Sequence, residues 1–321
     1  MSSGNNTVGN TNSAPDINKA PGRTIGMTVM IAMILFTAYW MSQRQSDSVE
    51  TGIASNTEEL SGFRSDAWQL PDDELLGFVK ISAGAFTMGS NPAADRMAYE
   101  NERWSNLQRQ GSVELPDYYI GRYEVTVAQI REWAEESGNQ TRGIVVSGEG
   151  SFPATQVTWP QALAYARWLE RQLKDSSNTP PEILQMLNNG GSVTLPSEAE
   201  WEKAARGIDG RIFPWGSSPR QDRANYSESK VLAVGSFGCP ECANGLSDMA
   251  GNVWELTRSP MQEYPYSSAD DFEPASANPL WVMRGGSFSD AANNVRAAVR
   301  GAVDSSVRND TIGFRLVITT L

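Results

Sequence analysis

The sequence predicts an irregular, loop-rich α+β domain that follows one transmembrane helix. Three stretches carry apolar residues at helical spacing, whereas the other apolar runs are short and are broken by glycine, asparagine, aspartate and proline. Loops this extensive in a compact domain are either functional or held by specific interactions. An uncharged stretch near the N-terminus has the composition of a membrane span.

Composition indicates one large folded domain and argues against a nucleic-acid partner. The chain has 321 residues, 40% of them hydrophobic, and its ten tryptophans help to supply a sizeable core. Its formal net charge is -12. Nucleic-acid binding needs clustered lysine and arginine to neutralise phosphates. An acidic balance instead favours solubility or a secreted environment.

The stretch 25–41 predicts a membrane anchor. It carries no charge over 17 residues, which at about 1.5 Å per residue is near the minimum for a spanning helix. The alternative is a cleaved signal peptide. A long polar stretch precedes the apolar segment, and 41–46 offers no small-x-small cleavage site, so we favour the uncleaved anchor.

The flanking charges indicate the orientation of this anchor. Lys19 and Arg23 precede it, whereas Arg44 is the only nearby base behind it and is soon followed by Asp47 and Glu50. The bias places the N-terminus in the cytoplasm. We therefore expect a single-pass protein of the cytoplasmic (inner) membrane whose large domain is periplasmic or extracellular.

Four segments follow from these patterns. Residues 1–24 are rich in Asn, Ser, Gly and Thr and are expected to be a disordered cytoplasmic tail. The signal anchor occupies 25–41, and the polar stretch 42–70 is expected to be a linker. The folded domain is expected at 71–321.

The first strand and three helices of this domain can be placed from the sequence. Residues 78–82 alternate as in a strand, and 126–137 have apolar residues at helical spacing. A second helix starts at 159 with proline in its first turn. The capping box of Ser197 and Glu200 predicts the start of a third helix, which ends before glycine 207.

Eight phrases in the chain resemble the formylglycine-generating-enzyme (sulfatase-modifying factor) family over about residues 78–317. In chain order they are Gly84–Ser90, Tyr123–Thr126, Pro153–Trp159, Leu195–Gly207, Phe213–Gly216, Gly245–Leu256, Arg284–Phe288 and Ile312–Val317. The resemblance implies the complex C-type-lectin-like fold, with little regular structure and with bound calcium.

The resemblance also implies a ligand set for one calcium ion. It consists of the side chain of Asp248, the backbone carbonyls of Gly251 and Val253, and the side chain of Glu255. Calcium prefers such mixtures of carboxylate and carbonyl oxygens. The alternative is that Asp248 caps a turn and Glu255 is a solvated strand residue.

A second calcium site of the family is only partly matched. Asn225 and the carbonyl of Tyr226 correspond to its first two ligands. The following loop is short and offers Glu228 but no aspartate. The second site is therefore expected to be altered or lost.

The catalytic positions of the family are not matched. Formylglycine-generating enzymes bind copper through two cysteines, whose positions here hold Asp290 and Val295. Neither is a soft thiolate ligand for Cu(I). Iron-dependent relatives use histidines, and the chain contains none. We expect structural calcium as the cofactor, and neither copper nor iron.

The two cysteines of the chain, Cys239 and Cys242, form a C-x-x-C sequence in a Gly/Pro-rich loop. A redox role is one interpretation. A zinc site would require two more Cys or His ligands. We favour a small structural disulfide, which is compatible with an extracytoplasmic domain.

The region where the family has its substrate cleft is rich in small polar residues. Candidate binding residues are Asp290, Asn293, Asn294, Arg296 and Arg300. The arginines of the last segment are expected to hydrogen-bond carbonyls of the loops, and the alternative is that some bind an acidic ligand.

Two hypotheses about function remain. The first is a membrane-anchored, non-catalytic binding or accessory subunit that contacts another envelope or membrane protein, or a glycan. The second is a divergent metal-dependent oxidoreductase, of formylglycine-generating or nonheme-iron type, with ligands other than cysteine and histidine. The absence of histidine and of both expected cysteines favours the first.

Overall fold

The computed structural model describes residues 60–137, 148–272 and 277–321. The predicted tail, the predicted anchor at 25–41 and the linker as far as residue 59 lie outside the described residues. Within those three ranges, no helix is long and apolar enough to cross a bilayer.

The described residues form an α+β domain, as the sequence predicts, with many short strands. Its helices are α1 (Val127–Ser137), α2 (Trp159–Asp175), α3 (Pro181–Asn188) and α4 (Glu198–Arg206). Its strands are β1 (Phe63–Arg64), β2 (Leu70–Pro71), β3 (Phe78–Ile81), β4 (Gly84–Met88), β5 (Gly111–Leu115), β6 (Tyr118–Gly121), β7 (Ser192–Thr194), β8 (Trp254–Pro260), β9 (Trp281–Arg284), β10 (Gly301–Val303), β11 (Ile312–Gly313) and β12 (Val317–Thr319).

Two four-stranded sheets organise the domain. One has the order β3-β6-β12-β7 and is antiparallel throughout. The other has the order β10-β9-β8-β11, in which β11 runs parallel to β8 and the other neighbours are antiparallel. The chain ends in the centre of the first sheet, so its last strand is held on both sides.

The helices predicted from periodicity and capping are present. A capping box at Thr158 starts α2, and the Ser197–Glu200 capping box starts α4, which ends at Gly207 in a positive-φ conformation. Helix α3, which has only eight residues and begins at a Pro-Pro pair, was not predicted. So short a segment carries little periodic signal.

The ordered domain begins upstream of residue 71, which is the start predicted from the sequence. Strand β1 pairs with β2, and the side chains of Ala67 and Leu70 are buried. The Nε2 of Gln129 donates a hydrogen bond to the carbonyl of Gln69. The last part of the predicted linker 42–70 therefore belongs to the domain. Its apolar residues are too few to show a period, which is why its order was not predicted.

Helix α4 is the most deeply placed element. All nine of its residues are buried, including Glu198, Glu200, Glu202 and Arg206. Charged side chains are almost never buried in full without a partner. The partners of these groups lie on loops and strands from both ends of the domain.

Candidate functional site

Arg284 and Arg300 hold the first and last glutamates of α4. Arg284 lies at the end of β9 and donates to Glu198 Oε1 at 3.2 Å and to a carboxylate oxygen of Glu202. Arg300 binds Glu198 in a bidentate manner, at 2.5 and 2.9 Å. Burial alone would raise the pKa of Glu198, but Arg300 and Arg284 hold it below its ordinary value.

Four more arginines are buried around this centre, and each is paired with one or two carboxylates. We call all of these pairs together the arginine network. Its further members are Arg206 with Glu202, Arg258 with Glu200, Arg296 with Asp95 and Glu102, and Arg315 with Glu255.

The arginines also bind backbone carbonyls. Arg284 donates to the carbonyls of Ala297 and Ala298, and Arg315 donates to those of Gly121, Arg122 and Ser247. The predicted role of these side chains as donors to loop carbonyls is confirmed for both. Their carboxylate partners were not predicted, since pairs far apart in sequence leave no local pattern.

Glu255, one of the predicted calcium ligands, is a member of the arginine network. Its side chain is 0% exposed, so it is not a solvated strand residue. Arg315 donates to both carboxylate oxygens, at 2.6 and 2.7 Å, and the indole of Trp201 donates to Oε2 at 2.7 Å. Glu255 would keep a structural role even where a cation is also bound.

Asp248, the other predicted carboxylate ligand, lies in a tight turn with φ +57°. Its Oδ2 accepts a hydrogen bond from the backbone of Gly235 at 2.7 Å. Burial raises the pKa of Asp248 to about 6, and the charge of Glu255 adds to the increase. The Gly235 amide and Arg315 act in the opposite direction.

A third buried carboxyl group, that of Glu124, lies near Asp248 and Glu255. Glu124 accepts from Asn252 Nδ2 at 2.8 Å and from the Val253 amide. Burial, together with Asp248 and Glu255, raises its pKa well above the ordinary value. Three carboxyl groups thus face the single guanidinium of Arg315, an arrangement that a bound cation would relieve.

The donor set suits calcium only if backbone carbonyls take part. Among the residues described, no three His, Cys, Asp or Glu side chains converge as a metal site. The predicted set needs only two carboxylates, those of Asp248 and Glu255. Calcium often completes its coordination with carbonyls and waters.

Asn225, a predicted ligand of the second calcium, has an unsatisfied acceptor. Its side chain is only 2% exposed, and Nδ2 donates to the carbonyl of Lys230 and to Asn252 Oδ1. Its Oδ1 is buried and has no hydrogen-bond partner in the part of the chain that is described. A buried oxygen left in this state costs free energy. Tyr226, the other predicted ligand residue, is also buried.

Asp290 and Val295, the two positions that the resemblance aligns with the family's copper ligands, have structural roles in this structure. Asp290 Oδ2 accepts from Trp254 Nε1 at 2.9 Å and from the amide and hydroxyl of Ser287, and Oδ1 accepts from Asn294. Val295 is 0% exposed and packs in a small apolar cluster with Phe213 and neighbouring residues. Asp290 joins β8 to the turn after β9, and Val295 fills the core beside it.

The predicted binding cleft is only partly accessible. Asn293 and Asn294 are half-buried and hydrogen-bond the hydroxyl of Tyr99. Arg296 and Arg300 are buried and paired with carboxylates of the arginine network. Their charges are already neutralised, and an acidic ligand cannot reach them without breaking these pairs.

Cys239 and Cys242 are joined by a disulfide in the structure. Glu241, between them, is held by Arg223 at 2.6 Å and by Arg220 at 3.0 Å, and its carbonyl accepts from Arg211. This loop precedes the segment 248–255, which contains Asp248 and Glu255 and which we call the carboxylate turn, so the covalent link restrains the chain that leads to it.

The comparisons with known proteins agree with this architecture. The family described as sulfatase-modifying factor enzyme 1-like domain matches residues 65–320. The chain therefore belongs to the formylglycine-generating-enzyme (sulfatase-modifying factor) family.

Individual relatives differ in what their names state. The chain is 27% identical to hercynine oxygenase of Mycolicibacterium smegmatis over 268 residues, which is 69% of this chain and 56% of that protein. It is 31% identical to inactive C-alpha-formylglycine-generating enzyme 2 of Bos taurus over 183 residues, which is 51% of this chain and 49% of that protein. The chain thus spans about half the length of these relatives.

A solved structure supports the fold alone. PvdO from Pseudomonas aeruginosa superposes with a TM-score of 0.59 at 23% identity, and the match covers 75% of this chain and 94% of PvdO.

The structural role of Asp290 can be tested by substitution. We expect Asp290→Ala to lower the free energy of unfolding by about 1–3 kcal/mol, because the partly buried donors of Trp254 and Ser287 lose a charged acceptor. Urea denaturation monitored by tryptophan fluorescence measures this change.

Asp304→Ala is the matched control, since exposed Asp304 accepts only local bonds from Ser306. Its cost should stay below about 1 kcal/mol. Equal, small costs for both variants would show that Asp290 does not hold the turn.

Proposed function

We propose that the protein is a membrane-anchored, extracytoplasmic and non-catalytic binding or accessory subunit, built on a formylglycine-generating-enzyme-like scaffold with structural calcium. The observation that carries this proposal is the state of the two copper-ligand positions. Asp290 accepts four hydrogen bonds, and Val295 packs in an apolar cluster.

Residues 290 and 295 do not supply the thiolate ligands that the family uses for copper. Cu(I) selects thiolates and thioethers, whereas Asp290 offers a hard carboxylate and Val295 offers no donor atom. The only two cysteines of the chain lie in the 239–242 loop and are bonded to each other. The bovine relative whose name includes "inactive" supports the same interpretation.

Iron chemistry also lacks its usual ligands. Nonheme iron sites typically combine two histidines with one carboxylate, and the chain has no histidine. The similarity to hercynine oxygenase is the observation that favours the oxidoreductase alternative. An iron site in this chain would have to be built from carboxylates alone.

Calcium, in contrast, matches the chemistry of the region around Asp248. The carboxylates of Asp248 and Glu255 and the carbonyls of Gly251 and Val253 would hold it. Its charge would offset the excess negative charge of the buried carboxylates. The ion would fix the turn rather than take part in a reaction. The unsatisfied Oδ1 of Asn225 favours retention of part of the second site.

Two features support an extracytoplasmic location for the domain: the apolar segment 25–41, which lies outside the described residues, and the cysteine loop. The segment 25–41 would anchor the chain in the cytoplasmic membrane, with its N-terminus inside. The disulfide suits an oxidising compartment beyond that membrane. The fold would be the complex variant of the C-type-lectin architecture, whose loops suit recognition of a protein or a glycan.

The non-catalytic proposal predicts a specific elemental composition and activity. The purified chain should contain neither copper nor iron above about one tenth of the protein concentration after metals are offered during refolding or expression. It should consume no oxygen with a cysteine-containing peptide or a small thiol. Plasma emission spectrometry and an oxygen electrode measure these quantities. Near-stoichiometric iron or copper together with thiol-dependent oxygen uptake would establish the oxidoreductase instead.

The calcium proposal predicts that a chelator destabilises the protein. A ligand that binds only the folded state stabilises it by about 2.7 kcal/mol at 100 times its Kd, so EGTA should lower the Tm by several degrees. Asp248→Asn should remove this response. Glu255→Ala is a poorer probe, because it also leaves the Arg315 guanidinium without its partner.

The matched control for Asp248→Asn is Asp222→Asn, since Asp222 is an exposed carboxylate. It should keep the full EGTA response. If EGTA does not change the Tm of the unsubstituted chain, the proposed structural calcium is wrong.

The response of the Tm to EGTA should depend on pH in a defined direction. Calcium binds the ionised carboxylate, so the EGTA response should shrink as the pH falls below about 6, the raised pKa of Asp248. Without calcium, the raised pKa of Asp248 affects the stability of the folded state directly. The folded state then binds the proton more tightly, so stability is lost as the pH rises from 3.8 through about 6.

A further inference from the structure

A polar groove lies on the domain surface, apart from the copper-ligand positions and the carboxylate turn. Its volume is about 590 Å³, within the range of roughly 300–1,000 Å³ for small-molecule sites. One wall is formed by residues of the segment 100–106, the other by the segment 261–264, and Arg300 lies at the groove as well. We call this feature the polar groove.

Arg300 joins the two walls. Its Nη1 donates to the carbonyl of Asn101 at 3.1 Å, and its Nη2 donates to the carbonyl of Gln262 at 2.9 Å. Its Nε and Nη2 bind Glu198, which also accepts a hydrogen bond from the hydroxyl of Tyr264. The guanidinium lies 4.0 Å from the centre of the Tyr264 ring. The walls are thus fixed to the arginine network before any ligand binds, which lowers the entropic cost of binding.

The groove carries ionised groups of both signs. Its ionisable lining consists of the carboxylates of Glu100 and Glu263 and the guanidiniums of Arg103 and Arg300. The charge of Arg300 is already offset by buried Glu198. Glu100 forms loose pairs with Arg103 and Arg109, each at 3.5 Å. An anionic ligand therefore meets the exposed carboxylates of Glu100 and Glu263, and a cationic ligand meets the guanidinium of Arg103. The balance favours a neutral ligand.

The uncharged lining offers hydrogen bonds in both directions. Asn101, Asn106 and Glu263 are exposed at the groove. Their amides both donate and accept, and the carboxylate accepts. The Nε2 of Gln262 is buried and has no acceptor among the described residues. Hydroxyl groups are the ligand groups that both donate and accept, so a surface of this kind suits a ligand with many of them.

From these observations we propose that the polar groove binds a neutral polyhydroxylated ligand of the oligosaccharide class. Small-molecule sites for apolar ligands are lined mainly by hydrophobic and aromatic side chains, whereas this groove has only Met261 and Tyr264 of that kind. The inference rests on the proposed binding role and gives it a ligand class.

The test uses the purified full-length chain in a detergent without a sugar head group. Maltotetraose, cellotetraose, mannotetraose and N-acetylchitotetraose are the probes, and isothermal titration calorimetry is the measurement. At least one of them should bind. The double variant Asn106→Ala/Glu263→Ala should weaken that binding about tenfold or more, the loss expected from two modest hydrogen bonds. Its Tm should not change, because both side chains are exposed.

The matched control is Glu135→Ala/Asn188→Ala. It removes the same two residue types from exposed positions on α1 and α3 and should bind the probe like the unsubstituted chain. The proposal is overturned if none of the four oligosaccharides binds, or if the groove variant binds as tightly as the control. Either failure leaves the metal content and oxygen uptake unaffected, so the non-catalytic proposal is judged separately.

Discussion

The arginine network is the interaction on which the rest of this structure depends. Helix α4 is buried on every side, yet three of its nine residues are glutamates. Breaking a buried pair by removing one partner costs about 3–5 kcal/mol, because the other charge remains buried. The segments that supply the arginines must therefore stay in place around the helix. In a domain with few long strands, these charged contacts replace much of the backbone pairing that would otherwise fix the loops.

The network fixes the backbone of the segment that contains Asp290 and Val295. Arg284 begins the turn that leads to Asp290, and Arg296 directly follows Val295. Both arginines are fully buried and paired, so the segment between them is anchored at each end. The side chains at 290 and 295 can then differ without loss of the backbone path. In this chain they support packing and hydrogen bonding. The same network reaches the carboxylate turn through Glu255 and the polar groove through Arg300.

Local signals in the sequence predicted the elements that depend on local physics. The capping box at Ser197 and Glu200 and the apolar period of 126–137 gave α4 and α1 nearly to the residue. Helix α3 was missed, because eight residues after two prolines show too little of a period. The segment 60–70 was assigned to a linker, although Ala67 and Leu70 are buried.

The calcium ligand set from Asp248 to Glu255 came from the family resemblance and stays a prediction. The structure shows that both carboxylates are buried and that the charge of Glu255 raises the pKa of Asp248. Arg296 and Arg300 were assigned to a cleft because the family resemblance has its substrate cleft in this region. Their partners Glu102 and Glu198 are about 100 or more residues away, so no local pattern indicated the pairs. The available signal was that five of the nine residues of α4 are charged, since a helix of this kind is accommodated by burial with partners or by exposure of its charged face.

The most direct test of the account is a double-mutant cycle between Arg284 and Glu202, measured by urea denaturation. Arg284→Met and Glu202→Gln should each lower the free energy of unfolding by about 3 kcal/mol or more. The double variant should cost less than the sum of the two, with a coupling energy above about 1 kcal/mol. Additive and small losses would show that the buried pairs do not hold the domain together, and would contradict the account.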